Sequence, residues 1–138
     1  MLIFSTKRQE EEFENKSLDD RLRLLVYFIW SYIEYNYKRD MVITDIYRYK
    51  HEQDQIYKDN PEYKKKPWDS VHQYWRGLDF RSAVFNQSEI NNILDYINKI
   101  VPYGTPGHFT LICHNVGSGM HFHLQVNSLD RTIIQNAA

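Results

Sequence analysis

His121-Phe122-His123-Leu124-Gln125-Val126 is the stretch on which the reading of this chain turns. A β-strand sends successive side chains to opposite faces, so Phe122, Leu124 and Val126 lie on one side and His121, His123 and Gln125 on the other. The apolar side requires a hydrophobic core beneath it. The polar side, with two imidazoles about 7 Å apart along the strand, lines either solvent or a site. Upstream, Phe109, Leu111 and Cys113 alternate with Thr110, Ile112 and His114, and a loop containing Gly117 and Gly119 separates the two runs. The pattern predicts an antiparallel pair of strands with one buried face.

Earlier in the chain, Gly77-Leu78-Asp79-Phe80 reads as a short strand that turns Asp79 away from Leu78 and Phe80. The preceding Ser70-Val71-His72 can bring a further imidazole to the same place. His72, Asp79 and a histidine of the His121/His123 pair make a donor set of two imidazoles and a carboxylate. That count leaves a fourth coordination position open, the feature that separates a catalytic zinc from a closed structural one. Taken singly, each fragment has a plainer reading: a His-x-His on a strand is more often structural, Asp79 can pair with Arg76 or Arg81, and His72 can cap a turn. Together they point to one zinc per chain and to hydrolytic chemistry.

The remaining elements supply the core. Ser17-Leu18-Asp19-Asp20 reads as a helix start, with the Ser17 hydroxyl as cap and acids at the positive end of the dipole. Leu22, Leu25, Val26, Ile29 and Ile33 form one stripe, ending near Tyr35. Leu24, Phe28 and Tyr32 widen it, so the helix is expected to be covered on much of its circumference. Met41-Val42-Ile43-Thr44 is a strand candidate, and residues 49–58 are polar enough for an exposed helix with few core contacts. Pro61 and Pro67 around Lys64-Lys65-Lys66 argue for a loop bordering the cleft. A second amphipathic helix is predicted from Ile90, Ile93, Leu94 and Ile97, capped by Ser88 and closed by Pro102 and Gly104. The sum is an α+β fold, a small antiparallel sheet bearing the site and packed with helices on its other face. A single domain over residues 1–138 is expected, with residues 1–16 as a flexible or peripheral segment.

Composition narrows the function classes. The formal net charge is -1 and the pI about 6.6, so no global field draws the chain to nucleic acid. Cys113 is the only cysteine, which excludes an intramolecular disulfide and a thiolate metal cluster; it reads as a buried strand residue. The apolar start, Met1 to Phe4, gives way to Lys7-Arg8-Gln9-Glu10-Glu11-Glu12 too early for a signal peptide, so synthesis in the cytoplasm is expected. The apolar run from Leu24 to Trp30 falls far short of the roughly 20 residues that cross a bilayer, so no membrane insertion is expected.

In order along the chain, Ser70, His72, Asp79, His121 and His123 resemble the hallmark of a zinc peptidase family, Ser-x-His-x-x-Gly-x-Ala-x-Asp followed by a distal His-x-His. The family includes VanY-like D-alanyl-D-alanine carboxypeptidases, phage L-alanyl-D-glutamate endolysins and the Hedgehog signalling domain. Ile43-Thr44-Asp45-Ile46-Tyr47-Arg48, with Gln53 further on, is similar to its strand-and-arginine segment, so the resemblance covers residues 42–126. Two positions depart from it. Trp75 stands where glycine is usual and Gly77 where alanine is usual, and Trp75 bears on the shape of the cleft rather than on the ligands.

The resemblance implies that His72, Asp79 and His123 hold zinc and that His121 handles the proton of the attacking water. An imidazole titrating near neutrality suits that task. Some relatives use a glutamate three positions before the last histidine. Met120 stands there, and no acid lies between Asp95 and Asp130, so His121 takes the role. Arg48 is expected to hold a substrate carboxylate or carbonyl oxygen, its plainer reading being an ion pair with Glu52. Ser70, Gln53 and Gln125 are expected as supporting hydrogen-bond partners. His51, His108 and His114 have no spacing that recruits them, and Tyr47, Tyr74 and Trp75 are expected as cleft walls or, more plainly, as packing.

The implied activity is hydrolysis of an amide in peptidoglycan stem peptides, of the D,D-carboxypeptidase or endopeptidase type or the L-Ala-D-Glu endolysin type. Such an enzyme is expected to reach the cell wall by lysis, as a phage or prophage product, although a cellular origin suits the residues equally. The alternative is a zinc-stabilised, catalytically silent binding module of the same fold.

Overall fold

The computed structural model describes residues 1–117 and 119–128. Its strands are β1 (Leu2–Phe4), β2 (Met41–Asp45), β3 (Gly77–Arg81), β4 (Leu111–Asn115) and β5 (Met120–Gln125), joined in one sheet of order β1-β2-β3-β5-β4. Helices α1 (Lys7–Phe13), α2 (Asp20–Tyr37), α3 (Lys50–Ile56), α4 (Pro61–Lys65) and α5 (Gln87–Ile100), with a 3-10 turn at Val71–Tyr74, complete an α+β fold. The pairings of β2, β3, β5 and β4 are antiparallel as expected, but β1 runs parallel to β2 at the edge. Among the described residues no helix is long and apolar enough to cross a membrane.

The expected stripes build the core. Leu22, Leu25, Val26, Ile29 and Ile33 of α2 share one buried cluster with Ile90, Ile93 and Ile97 of α5 and with Leu78, Phe80, Leu111, Phe122 and Leu124 of the sheet. Each such side chain contributes about 1.5–3 kcal/mol relative to an exposed one, which makes α2 the main packing element. Its cover is narrower than expected, because Leu24 and Phe28 are exposed.

Local chemistry moves several boundaries. Asp19, not Ser17, caps α2, its carboxylate accepting the backbone N–H of Arg21. Asn86, not Ser88, caps α5 in a reciprocal box with Glu89, which leaves Ser88 inside the first turn. Residues 61–65, expected as loop, form α4, since Asn60 caps it and Pro61 at the first position arrives with helical φ already set. Phe109 lies outside β4 and is exposed, and Cys113 is half-buried rather than buried. The N-terminal segment, expected as flexible or peripheral, forms the edge strand and α1; it is tied down by Phe13 in the core and by Arg8 bridging to Glu52.

Register decides what reaches the polar face. Leu78 pairs with Leu124 and Phe80 with Phe122 toward the core, so Gly77, Asp79 and Arg81 face the other way, opposite Gln125, His123 and His121. His114 of β4 lies across from His121 on that same face. On β2, Ile43 pairs with Phe80 but Asp45 with Asp79, so two steps on β2 match one on β3. The extra residue is a bulge, and it turns Asp45 onto the face that carries Asp79.

Candidate metal centre

Two elements bring imidazoles to Asp79 of β3. The 3-10 turn brings His72, whose Nε2 lies 3.2 Å from Asp79 Oδ1, and β5 brings His123, whose Nδ1 lies 2.8 Å from the same oxygen. His121 stands on the other side, with Nε2 3.5 Å from Asp79 Oδ2. His72, Asp79 and His123 are all buried, and one donor atom from each lies within 4.8 Å of the others, so the three can hold a metal ion.

The partners of the outer ring nitrogens assign the tautomers. His72 Nδ1–H donates to the Ile46 carbonyl at 2.8 Å, and His121 Nδ1–H to the Gly119 carbonyl at 3.0 Å. His123 Nε2 lies 3.0 Å from Gln125 Oε1. That amide is oriented in turn by Gln125 Nε2 donating to the Phe109 carbonyl at 2.9 Å. A carbonyl oxygen only accepts, so each imidazole spends its proton outward and turns a lone pair toward Asp79. Lone pairs and a carboxylate facing one another are stable only with positive charge between them, supplied by protons or by a metal ion. The donor set thus fits a cation on its own chemistry.

The electrostatics agree. Burial alone would raise the Asp79 carboxyl, but with protons supplying the positive charge on the imidazoles, the field of His72 and the hydrogen bonds from His123 and His72 hold it far below the usual carboxylate range. Burial pushes the His72 imidazole down, and the adjacent Asp79 more than reverses this, so its pKa is raised. His114 is lowered, by burial first and then by His123 and His121.

The supporting residues act through neighbours. Ser70 contacts the backbone of His72, not its ring: its Oγ accepts the His72 N–H at 3.2 Å and caps the turn that carries the ligand. Arg48 is buried, and its partner is Asp45 at 2.6 Å rather than Glu52, which is taken by Arg8. Gln53 accepts a hydrogen bond from Arg48 at 2.8 Å, and the Arg48 guanidinium approaches Asp79 to 3.8 Å. Asp79 pairs with neither Arg76 nor Arg81 among the described residues.

These groups floor a cleft of about 250 Å³ whose aromatic walls are Tyr57 and Trp68. Segment 59–69 does border it, through Trp68 and Asp69. Tyr47, Tyr74 and Trp75 are not among its lining residues. Trp75 stacks on Tyr47 with ring centroids 4.5 Å apart and packs against the core, so it leaves the cleft open. Its φ of 58° is left-handed, a conformation that glycine adopts without steric cost and tryptophan does not. Gly77 is explained, since a Cβ there would lie 2.4 Å from Val71 Cγ2.

His51 and His108 lie outside the cleft, stacked on Tyr49 and Tyr103. His114, which no spacing recruits, lines the cleft with its ring 4.9 Å from His121 and 5.5 Å from His123. The signal that finds it is register: a histidine at an even step along β4 shares the face of His121 once the strands pair. Asp45, Tyr57 and Trp68 had no such signal.

Fold and site thus define an α+β protein with a buried candidate metal centre of two histidines and an aspartate. Compared with known protein families, with curated proteins and with solved structures, the chain matches none.

Proposed function

We propose that this chain is a zinc metallopeptidase that hydrolyses an amide bond in peptidoglycan stem peptides. The observation that carries the reading is the set of three imidazole lone pairs converging on one buried carboxylate at the floor of an open cleft. His72 Nε2, His123 Nδ1 and Asp79 would hold the ion. Zinc in such a site supplies Lewis acidity and lowers the pKa of water toward about 7.

The chain's own residues divide the remaining work. His121 is oriented by the Gly119 carbonyl, so its Nε2 is the atom that accepts the proton from water and returns it to the leaving amine. The same carbonyl stabilises the cation that forms. Arg48, held by Asp45 and Gln53, places a fixed positive charge beside Asp79 and acts on a substrate oxygen through that field rather than through a free donor. Gln125 and the Ile46 carbonyl hold the two ligand rings against rotation. The resemblance to the peptidase family implies a peptidoglycan stem peptide as substrate, with a bond of the D,D or of the L-Ala-D-Glu type, and entry to the wall by lysis suits a phage or prophage product.

The test is elemental analysis of the purified protein followed by mass spectrometry of stem peptides incubated with it. About one zinc per chain and release of a defined fragment are expected. Bound zinc with no cleavage of any stem peptide would move the reading to a catalytically silent binding module. Two imidazoles and a carboxylate also suit ferrous iron, so finding iron in place of zinc would redirect it to redox chemistry.

A further inference from the structure

Arg48 is poorly placed to read an incoming carboxylate. Its side chain is 7 % exposed, and its guanidinium is committed to Asp45 at 2.6 Å and to Gln53 at 2.8 Å. A cavity adjoining the cleft holds a second arginine in the opposite condition. Arg81 is exposed at the end of β3, on the face that carries Asp79 and directly across from His121. Among the described residues it makes no ion pair and no side-chain hydrogen bond. It lines a cavity of about 380 Å³ shared with Asp45, Arg48, Asp79, Ser82 and His121, of which Arg48, Asp79 and His121 also line the cleft. Asp45 is paired with Arg48 and Asp79 is enclosed by its imidazoles and Arg48, so among the described residues Arg81 is the cavity's unpaired charged group.

We propose that Arg81 reads a carboxylate of the substrate, selecting peptides whose anionic group lies one residue beyond the amide that is cut. The inference rests on the peptidase reading and adds a specificity determinant to it. Arg81 is two residues past Asp79, about 7 Å along the strand. An extended peptide advances about 3.3–3.6 Å per residue, so a carboxylate one residue from a carbonyl over Asp79 falls within reach of the guanidinium. Arginine offers such a group two parallel donors.

The test uses the full chain loaded with zinc and two uncleavable probes. These are acetyl-L-lysyl-D-alanyl-D-alanine with a methylene in place of the last amide N–H, as the free acid and as the C-terminal amide. Binding followed by NMR titration is expected to favour the acid by roughly tenfold, the range of a charge-assisted pair. Arg81→Ala should bring that preference below about twofold with the amide's affinity unchanged, and Arg81→Lys should keep part of it. A wild-type protein without acid preference, or an Arg81→Ala variant that retains it, overturns the proposal. Cleavage of the ordinary peptide is measured separately: an Arg81-dependent preference without cleavage upholds Arg81 while the peptidase reading fails.

Discussion

His123 Nε2 and Gln125 Oε1 lie 3.0 Å apart, two residues along β5, and the Gln125 amide is itself oriented by the Phe109 carbonyl. The period of the strand thereby becomes a tautomer lock on a candidate ligand. Replacing Gln125 with Leu should lower metal affinity by about 10–100-fold while leaving the fold intact, and Gln125→Glu should retain much of the affinity. Chelator competition measures this; an unchanged affinity in the Leu variant would show the lock to be irrelevant.

The two histidines of the same strand should separate cleanly. His123 belongs to the cluster of three donors, whereas His121 stands just outside it. His123→Ala is expected to lose stoichiometric zinc. His121→Ala should keep the metal and lose peptide hydrolysis by about 10²–10⁴-fold. Elemental analysis beside a cleavage assay decides it, and normal turnover by the His121 variant would remove that residue as the base.

Gly77 makes a packing prediction. A methyl there would meet Val71 Cγ2 at 2.4 Å and His123 Cε1 at 3.3 Å, and β-branched Val71 has little freedom to yield. Gly77→Ala should cost about 1–3 kcal/mol and weaken metal binding, because the displaced turn carries His72. Adding Val71→Ala should recover part of both losses, a coupling that urea unfolding of the four proteins in the cycle would reveal.

Acid should loosen the N-terminal anchor. The Arg8 guanidinium hydrogen-bonds Glu52 and holds its carboxyl down at about 2 instead of 4.5. A depressed carboxyl stabilises the fold above its unfolded pKa, and the contribution is lost as pH falls from about 4.5 toward 2. The pair is partly solvated, so about 1 kcal/mol is expected after screening. Glu52→Gln should be less stable by that amount at neutral pH and converge with the wild type near pH 2. Urea midpoints across the range test it, and parallel curves would contradict it.

Much of the fold was legible because periodicity is local. The stripe on α2 and the alternation in β5 follow from side-chain direction within one element, and all five stripe residues are buried as that periodicity requires. Helix caps were less legible, since Asp19 and Ser17 offer similar acceptors and only the backbone conformation at the helix entry chooses between them.

The sequence by itself determined which face of β5 is polar, and residue type and spacing named His72, Asp79 and one of His121 and His123 as donors, the choice of His123 coming from the resemblance alone. Tertiary structure alone decided what surrounds them. The β2 bulge swings Asp45 onto the site, where it takes the guanidinium of Arg48. Strand register sets His114 and Arg81 beside His121. Neither is visible along the chain, because a one-residue change of register sends every side chain of a strand to the opposite face, and register is settled by packing between elements far apart in sequence.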